Sequence, residues 1–250
     1  AMKNKKTIFC EKPLDLNINK IIKTLKKVKK FKPKIQLGFN RRYDPGHHGI
    51  KKDLEQKKIG RLEKIIITSR DPAPPAISYL KSSGGIFRDM MIHDFDLCRY
   101  YLGKDEISEV NAFTSSFEPF YKKIKDYELA VVTMKSKKGV ICVITNSRHC
   151  SYGYDQRVEL FGKNGMLISD NLKENSTELF NSNQTNSQKP FLSFFIERYK
   201  NAYDLQLKEL VSLHQNKIKS RSTFEDGYEA LKLANAAYNS LRLKKTVKIQ

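Results

Sequence analysis

Asp89 and His93 are the residues whose types and spacing best suit them to do chemistry. They lie in Gly84-Gly85-Ile86-Phe87-Arg88-Asp89-Met90-Met91-Ile92-His93-Asp94, which sets a carboxylate and an imidazole four residues apart. The spacing predicts the first turn of an amphipathic helix. At about 3.6 residues per turn, Asp89, His93 and Asp96 share one face. Met91, Phe95, Cys98 and Leu102 occupy the opposite face, the stripe of a helix packed on a core. That stripe accounts for the helix and leaves the two polar residues unexplained. Histidine is the side chain that most readily moves a proton near neutral pH, and a neighbouring carboxylate fixes its tautomer. Gly84 and Gly85 admit a close-approaching ligand or a turn closed to larger residues. The plainer alternative is a first-turn Asp paired with a surface His.

A scaffold must position these groups. Thr7 to Cys10 reads as a strand ending at Glu11-Lys12-Pro13. Asp15 is placed to cap a helix in which Leu16, Ile18, Ile21, Ile22, Leu25 and Val28 recur at helical spacing over a lysine-rich outer face. Lys34 to Phe39 is a second strand, so strand, helix and strand form a βαβ unit with parallel strands. Asp44 and Pro45 are the N-cap and first residue of a helix running to about Lys58 and stopping at Gly60. Leu62 to Ser69 is a strand, Asp71 to Pro75 a rigid loop, and the Asp89/His93 helix ends at Gly103.

Beyond it the pattern turns to strands at 107–117, 127–135, 139–148, 155–162 and 165–170, with a weaker one at 176–181. Ser136-Lys137-Lys138-Gly139 and Gly162-Lys163-Asn164-Gly165 are tight-turn signals, which predicts an antiparallel meander. Helices at 191–215 and 224–243 and a strand at 246–249 close the chain. The expected fold class is a small α/β piece followed by an α+β domain with a large open, mostly antiparallel sheet.

Composition narrows the function. The formal net charge is +20, which invites a nucleic-acid partner, but the excess is lysine spread along the chain. Arginine, the residue suited to bidentate reading of bases and phosphates, is outnumbered about three to one. No nucleic-acid partner is expected. No apolar run is long enough to span a bilayer, and the basic start before Ile8-Phe9-Cys10 is no secretory signal, so a cytoplasmic protein without a membrane partner is expected. The four cysteines show no CxxC spacing, and His47-His48 point apart on a helix, so no metal site is predicted.

Five ordered motifs carry a family resemblance: Glu11-Lys12-Pro13 after a strand, Gly38-Phe39-Asn40-Arg41-Arg42-Tyr43-Asp44, Ser69 to Pro75, the Gly84 to Asp96 stretch, and Tyr152-Gly153-Tyr154-Asp155. Together they resemble the Gfo/Idh/MocA oxidoreductases, within them the branch that dehydrogenates inositol, from about residue 5 to the C-terminus. The resemblance implies hydride transfer between a cyclitol or sugar hydroxyl carbon and NAD or NADP. It implies catalytic roles for Lys12, Asp89 and His93: Lys12 hydrogen-bonds the reacting hydroxyl, His93 takes its proton, and Asp89 orients the imidazole and the substrate. Glu11, Lys12, Pro13 and Arg41 would border the cofactor, with a cis Lys12–Pro13 bond, and Asp71 and Tyr154 would contact substrate hydroxyls. A homo-oligomer built through the sheet is also implied.

The family's opening strand, GxGxxG turn and helix are not present in these residues. The resemblance therefore predicts an N-terminally truncated chain. Residues 1–40 would be the C-terminal remnant of a dinucleotide-binding (Rossmann) domain, and 41–250 a substrate-binding and oligomerisation domain. Without the glycine-rich amide cradle, cofactor binding by these residues alone is expected to suffer. A non-catalytic binding or assembly module is the alternative expectation.

Overall fold

The computed structural model describes residues 1–249. Its first part is the expected βαβ unit: β1 (Ile8–Cys10), α1 (Ile18–Phe31) and β2 (Ile35–Leu37). β1 and β2 pair in parallel with Ile8 opposite Ile35. The cap of α1 differs from the expectation. Asn17 is the N-cap, its side chain accepting from the Asn19 amide at 3.0 Å, while Asp15 accepts from the Asn17 amide one step earlier.

Asp44 and Pro45 open α2 (Pro45–Glu55) as predicted, the Asp44 carboxylate accepting from the His47 amide. The helix ends short of Lys58 because Lys57 turns left-handed, with φ 59°, before Gly60 at φ 70°. β3 (Leu62–Arg70) follows, and Ile65 and Ile67 are wholly buried in it.

The predicted Asp89/His93 helix is in fact two. An unpredicted α3 (Ile77–Ser82) leads into α4 (Gly85–Asp89) and α5 (Ile92–Leu102). Asp89 closes α4 and His93 opens α5, with a break at Met90 and Met91. Gly84 and Gly85 both have positive φ, 92° and 80°, so the turn into α4 is one that other residues adopt only with strain. A Cβ on Gly85 would sit 3.0 Å from Asp126, whose carboxylate accepts from the Ile86 amide and thereby caps α4. The core stripe is real: Met91, Phe95 and Cys98 have no exposed surface. Asp96 leaves the predicted polar face and is buried in an ion pair with Arg42, whose Nη2 lies 2.7 Å away.

The remaining strands are β4 (Ile107–Ser115), β5 (Leu129–Ser136), β6 (Ile141–Ser147), β7 (Asp155–Gly162), β8 (Gly165–Ser169), β9 (Glu178–Leu179), β10 (Ser187–Gln188) and β11 (Val247–Lys248). α6 (Pro119–Ile124) interrupts them, unpredicted, between β4 and β5. The helix expected at 191–215 breaks at Tyr199 into α7 (Phe195–Arg198) and α8 (Lys200–His214). α9 (Phe224–Leu243) has the predicted bounds.

The large sheet has seven strands in the order β11-β4-β5-β6-β3-β7-β8, and it is mixed. This corrects the expected antiparallel meander. β3 inserts between β6 and β7, parallel to the first and antiparallel to the second. The cause is burial: the Ile65-Ile66-Ile67 run seeks a central position, so residues 148–154 carry the chain across it. α9 packs on β4 and α5, closing the core over one face of the sheet. Among the described residues no helix is long and apolar enough to cross a membrane.

Candidate active site

A cavity of about 1010 Å³ opens where β1, β2 and β3 end. Ligands of open α/β sheets commonly gather beyond the carboxyl ends of parallel strands, because the loops there are free to carry function. Glu11 and Lys12 reach it from the end of β1, and Gly38, Asn40 and Arg41 from the end of β2. Asp71 to Ala76 enter from the loop after β3, Tyr79 from α3, Asp89 from α4 and His93 from α5. Tyr154, Phe194, Phe195 and Tyr199 form the far wall. Six of the seven predicted lining residues were scattered over the sequence from 11 to 93, and Tyr154 lies further on, so the fold has brought them all to one place. Pro13 adjoins the cavity through a cis Lys12–Pro13 peptide without being part of its wall. A second depression, about 810 Å³, lies between α1, α4, α9 and β11, and its walls hold neither a histidine nor a tyrosine.

Lys12 donates from Nζ to the Asp89 backbone oxygen at 2.7 Å and to its Oδ1 at 3.3 Å. Two further donors hold the same carboxylate. The Tyr79 hydroxyl donates to Oδ1 at 2.7 Å, and the buried Arg148 guanidinium lies 3.5 Å from Oδ2. Glu11 packs against Gly38, where a Cβ would stand 2.7 Å from the Glu11 carboxyl carbon; glycine makes that approach possible.

The expected Asp89–His93 hydrogen bond is not among those formed. The helix break turns the carboxylate toward Lys12, Tyr79 and Arg148 instead. His93 packs edge-on to Phe39, ring centroids 6.0 Å apart, and its Nδ1 is buried with no partner. Burial, reinforced by the positive charges of Lys12 and Arg41, pushes the His93 pKa well below its ordinary value. The imidazole is therefore neutral at physiological pH, with a lone pair available to accept a proton.

Arg41 is buried and paired with Asp94, and its Nη1 also donates to Ser69 Oγ at 2.9 Å. Asp94 in turn accepts from Ser69 at 2.7 Å and from Asn146 at 2.9 Å. This fixed guanidinium lies 5.9 Å from the Tyr199 ring centroid. Tyr154 stands edge-on to Tyr199, and burial pushes its pKa well up, so it is a phenol, not a phenolate.

Asp71 makes no side-chain hydrogen bond, and its carboxyl pKa is raised to about 6, first by desolvation, against the lowering pull of Arg148 and Arg41. A folded-state pKa above the unfolded one means the native state holds the proton more tightly. Stability then falls as pH rises from about 4 to about 6 and stays lower above that. Asp71→Asn removes the buried charge. It is expected to be more stable than the parent above pH 6, by on the order of 1–2 kcal/mol for this half-buried group, with the difference vanishing below pH 4. Urea unfolding across that range checks it; a pH-independent difference would contradict the assignment.

Sequence reasoning missed Tyr79, Arg148 and Asp94. Tyr79 sits on a helix too short to show a period, Arg148 follows an apolar strand with no motif of its own, and Asp94 lies on neither helix face that the spacing marks out.

The fold and this cavity define a class, an α/β protein with a polar, ion-paired pocket beyond its parallel strand ends, and comparison with known proteins makes it specific. Residues 47–168 match the model of the GFO/IDH/MocA C-terminal domain. The chain is 41% identical over 249 residues to the myo-inositol 2-dehydrogenase of Thermotoga maritima, covering 99% of this chain and 74% of the relative. It superposes on the crystal structure of a myo-inositol dehydrogenase from Corynebacterium glutamicum with a TM-score of 0.96 and 40% identity, over 100% of this chain and 75% of that one. The scyllo-inositol dehydrogenase of Lactobacillus casei, solved with bound NAD(H) and scyllo-inositol, gives a TM-score of 0.88 at 29% identity, over 97% and 73% of the two chains. The chain belongs to the GFO/IDH/MocA family. It spans about three quarters of these relatives' length, a share that does not by itself support the truncation expected from the sequence.

Proposed function

We propose that the protein is an oxidoreductase of the inositol 2-dehydrogenase type, oxidising a cyclitol CH–OH with NAD or NADP as hydride acceptor. The observation that carries this is the convergence of Lys12, Asp89 and His93 on one cavity, in a chain similar over nearly its whole length to inositol dehydrogenases. Residues 1–40 are read as belonging to a dinucleotide-binding domain and 41–250 as the substrate-binding and oligomerisation domain.

The residues fit the nicotinamide end of such a cofactor. Lys12 has a third ammonium hydrogen beyond its two bonds to Asp89, and Gly38 leaves the wall beside Glu11 bare of side chain. Glu11, Lys12, Pro13 and Arg41 would border the ring, and when bound it supplies the acceptor for the hydride. No GxGxxG turn for the pyrophosphate occurs in these 250 residues.

The chain's own groups then divide the work. His93, held neutral by burial and by the nearby cations, accepts the hydroxyl proton at Nε2, the ring nitrogen not sealed in protein. The Lys12 ammonium stabilises the negative charge that grows on the substrate oxygen as the proton leaves. Asp89 holds the ammonium in place through its backbone and side-chain oxygens. Asp71 and Tyr154, both reaching the cavity, bind the remaining ring hydroxyls.

Titrating NADH into the purified chain and following its fluorescence tests the reading. Saturable binding enhanced by inositol is expected, weakened by the lack of a glycine-rich pyrophosphate turn in these residues. An intact fold that ignores NADH would favour a non-catalytic binding or assembly module.

The outer face of the sheet is proposed to join copies of the chain. Phe113, Ile141, Phe161 and Met166 share that face and are 40% to 65% exposed, an apolar surface of the kind that a partner covers. Sedimentation should show an oligomer that Phe113→Lys with Phe161→Lys dissociates; a monomer at all concentrations would remove this proposal.

A further inference from the structure

The Asp89 carboxylate collects donors from three separate segments, and the shortest side-chain bond comes from a neutral one. Tyr79 donates to Oδ1 at 2.7 Å, while Lys12 reaches the same oxygen at 3.3 Å and Arg148 faces Oδ2 at 3.5 Å. Lys12 makes its tighter bond to the Asp89 backbone oxygen, at 2.7 Å. An ammonium has three donors and no acceptor, so a loosely tied Lys12 keeps one for a ligand. Burial and the adjacent carboxylate raise the Tyr79 pKa, so its hydroxyl stays a donor through neutral pH. The residue is delivered by α3, directly after the proline-rich loop that lines the cavity, and prolines restrict that loop's freedom.

We propose that Tyr79 is a positioning residue for the dehydrogenation: its hydroxyl occupies Asp89 Oδ1 and so keeps the Lys12 ammonium free to reach the reacting oxygen. This rests on the dehydrogenase reading above. Without the hydroxyl, Oδ1 has Lys12 as its one remaining donor and draws the ammonium onto the carboxylate, away from substrate. The loss appears in the step that Lys12 assists and leaves ground-state binding by the other walls in place.

Tyr79→Phe keeps the ring, which is 48% exposed, and removes one oxygen. The expected result is a fall in kcat of about 10- to 100-fold with KM within about threefold. In an Asp89→Asn background the same change should add little, because Tyr79 acts through Asp89; two independent structural defects would instead multiply. A reading without turnover accompanies this. In protein labelled with carbon-13 at tyrosine Cζ, the resonance lost in Tyr79→Phe should shift in Asp89→Asn with no ligand added. An unmoved resonance, an unchanged kcat, or full multiplication of the two losses overturns the role. A wild-type chain that oxidises no cyclitol overturns the dehydrogenase reading and this role with it. Wild-type turnover with an unaffected Tyr79→Phe overturns this role alone.

Discussion

His93→Ala should lower kcat for cyclitol oxidation by about 10²–10⁴-fold while the protein still folds. The imidazole is the one group in the cavity that is neutral, bears an uncommitted nitrogen lone pair and stands among cations. Burial first, then Lys12 and Arg41, disfavour a further positive charge there, so protonation of His93 in the resting state is suppressed and the ring remains ready to accept. Removing it takes away the imidazole that would receive the hydroxyl proton. The fold should survive because His93 makes no side-chain hydrogen bond and only an edge contact to Phe39. Circular dichroism and a steady-state assay at pH 7 check both halves, and wild-type turnover in a folded variant would exclude His93 as the base.

Lys12→Met should cost about 10²–10³-fold in kcat, the usual effect of deleting one donor to a developing oxyanion. Methionine keeps most of the length of the chain and removes the charge. Asp89 would retain Tyr79 and Arg148, so the carboxylate would not be stranded without partners. A change confined to KM would mean that Lys12 binds substrate and transition state equally, and that its charge does not serve the chemical step.

How legible the site was depended on the length scale of each signal. The βαβ unit and α9 could be read because helical period and strand length extend over enough residues to be unambiguous. The motif residues converge as expected: Lys12, Arg41, Asp71, Asp89, His93 and Tyr154 line one cavity. Relations between distant segments were not legible. The partner of Asp89 was expected to be His93, its neighbour in sequence, but the helix breaks at Met90 and Met91 and the carboxylate turns to Lys12, Tyr79 and Arg148. Asp96 went to Arg42 for the same reason: a helical wheel shows which residues share a face and says nothing of which element that face meets. The insertion of β3 beside β6 is likewise a pairing decided by burial across the sheet and not by the turns between successive strands.

The claim that Lys12 and His93 act on a single hydroxyl carbon is tested most directly with an inositol deuterated at that carbon. Incubated with the wild-type chain and NAD, it should deliver one deuterium into each reduced cofactor, and His93→Ala should form almost none. Reduced cofactor carrying no deuterium, or equal transfer by His93→Ala, would contradict hydride transfer at this site.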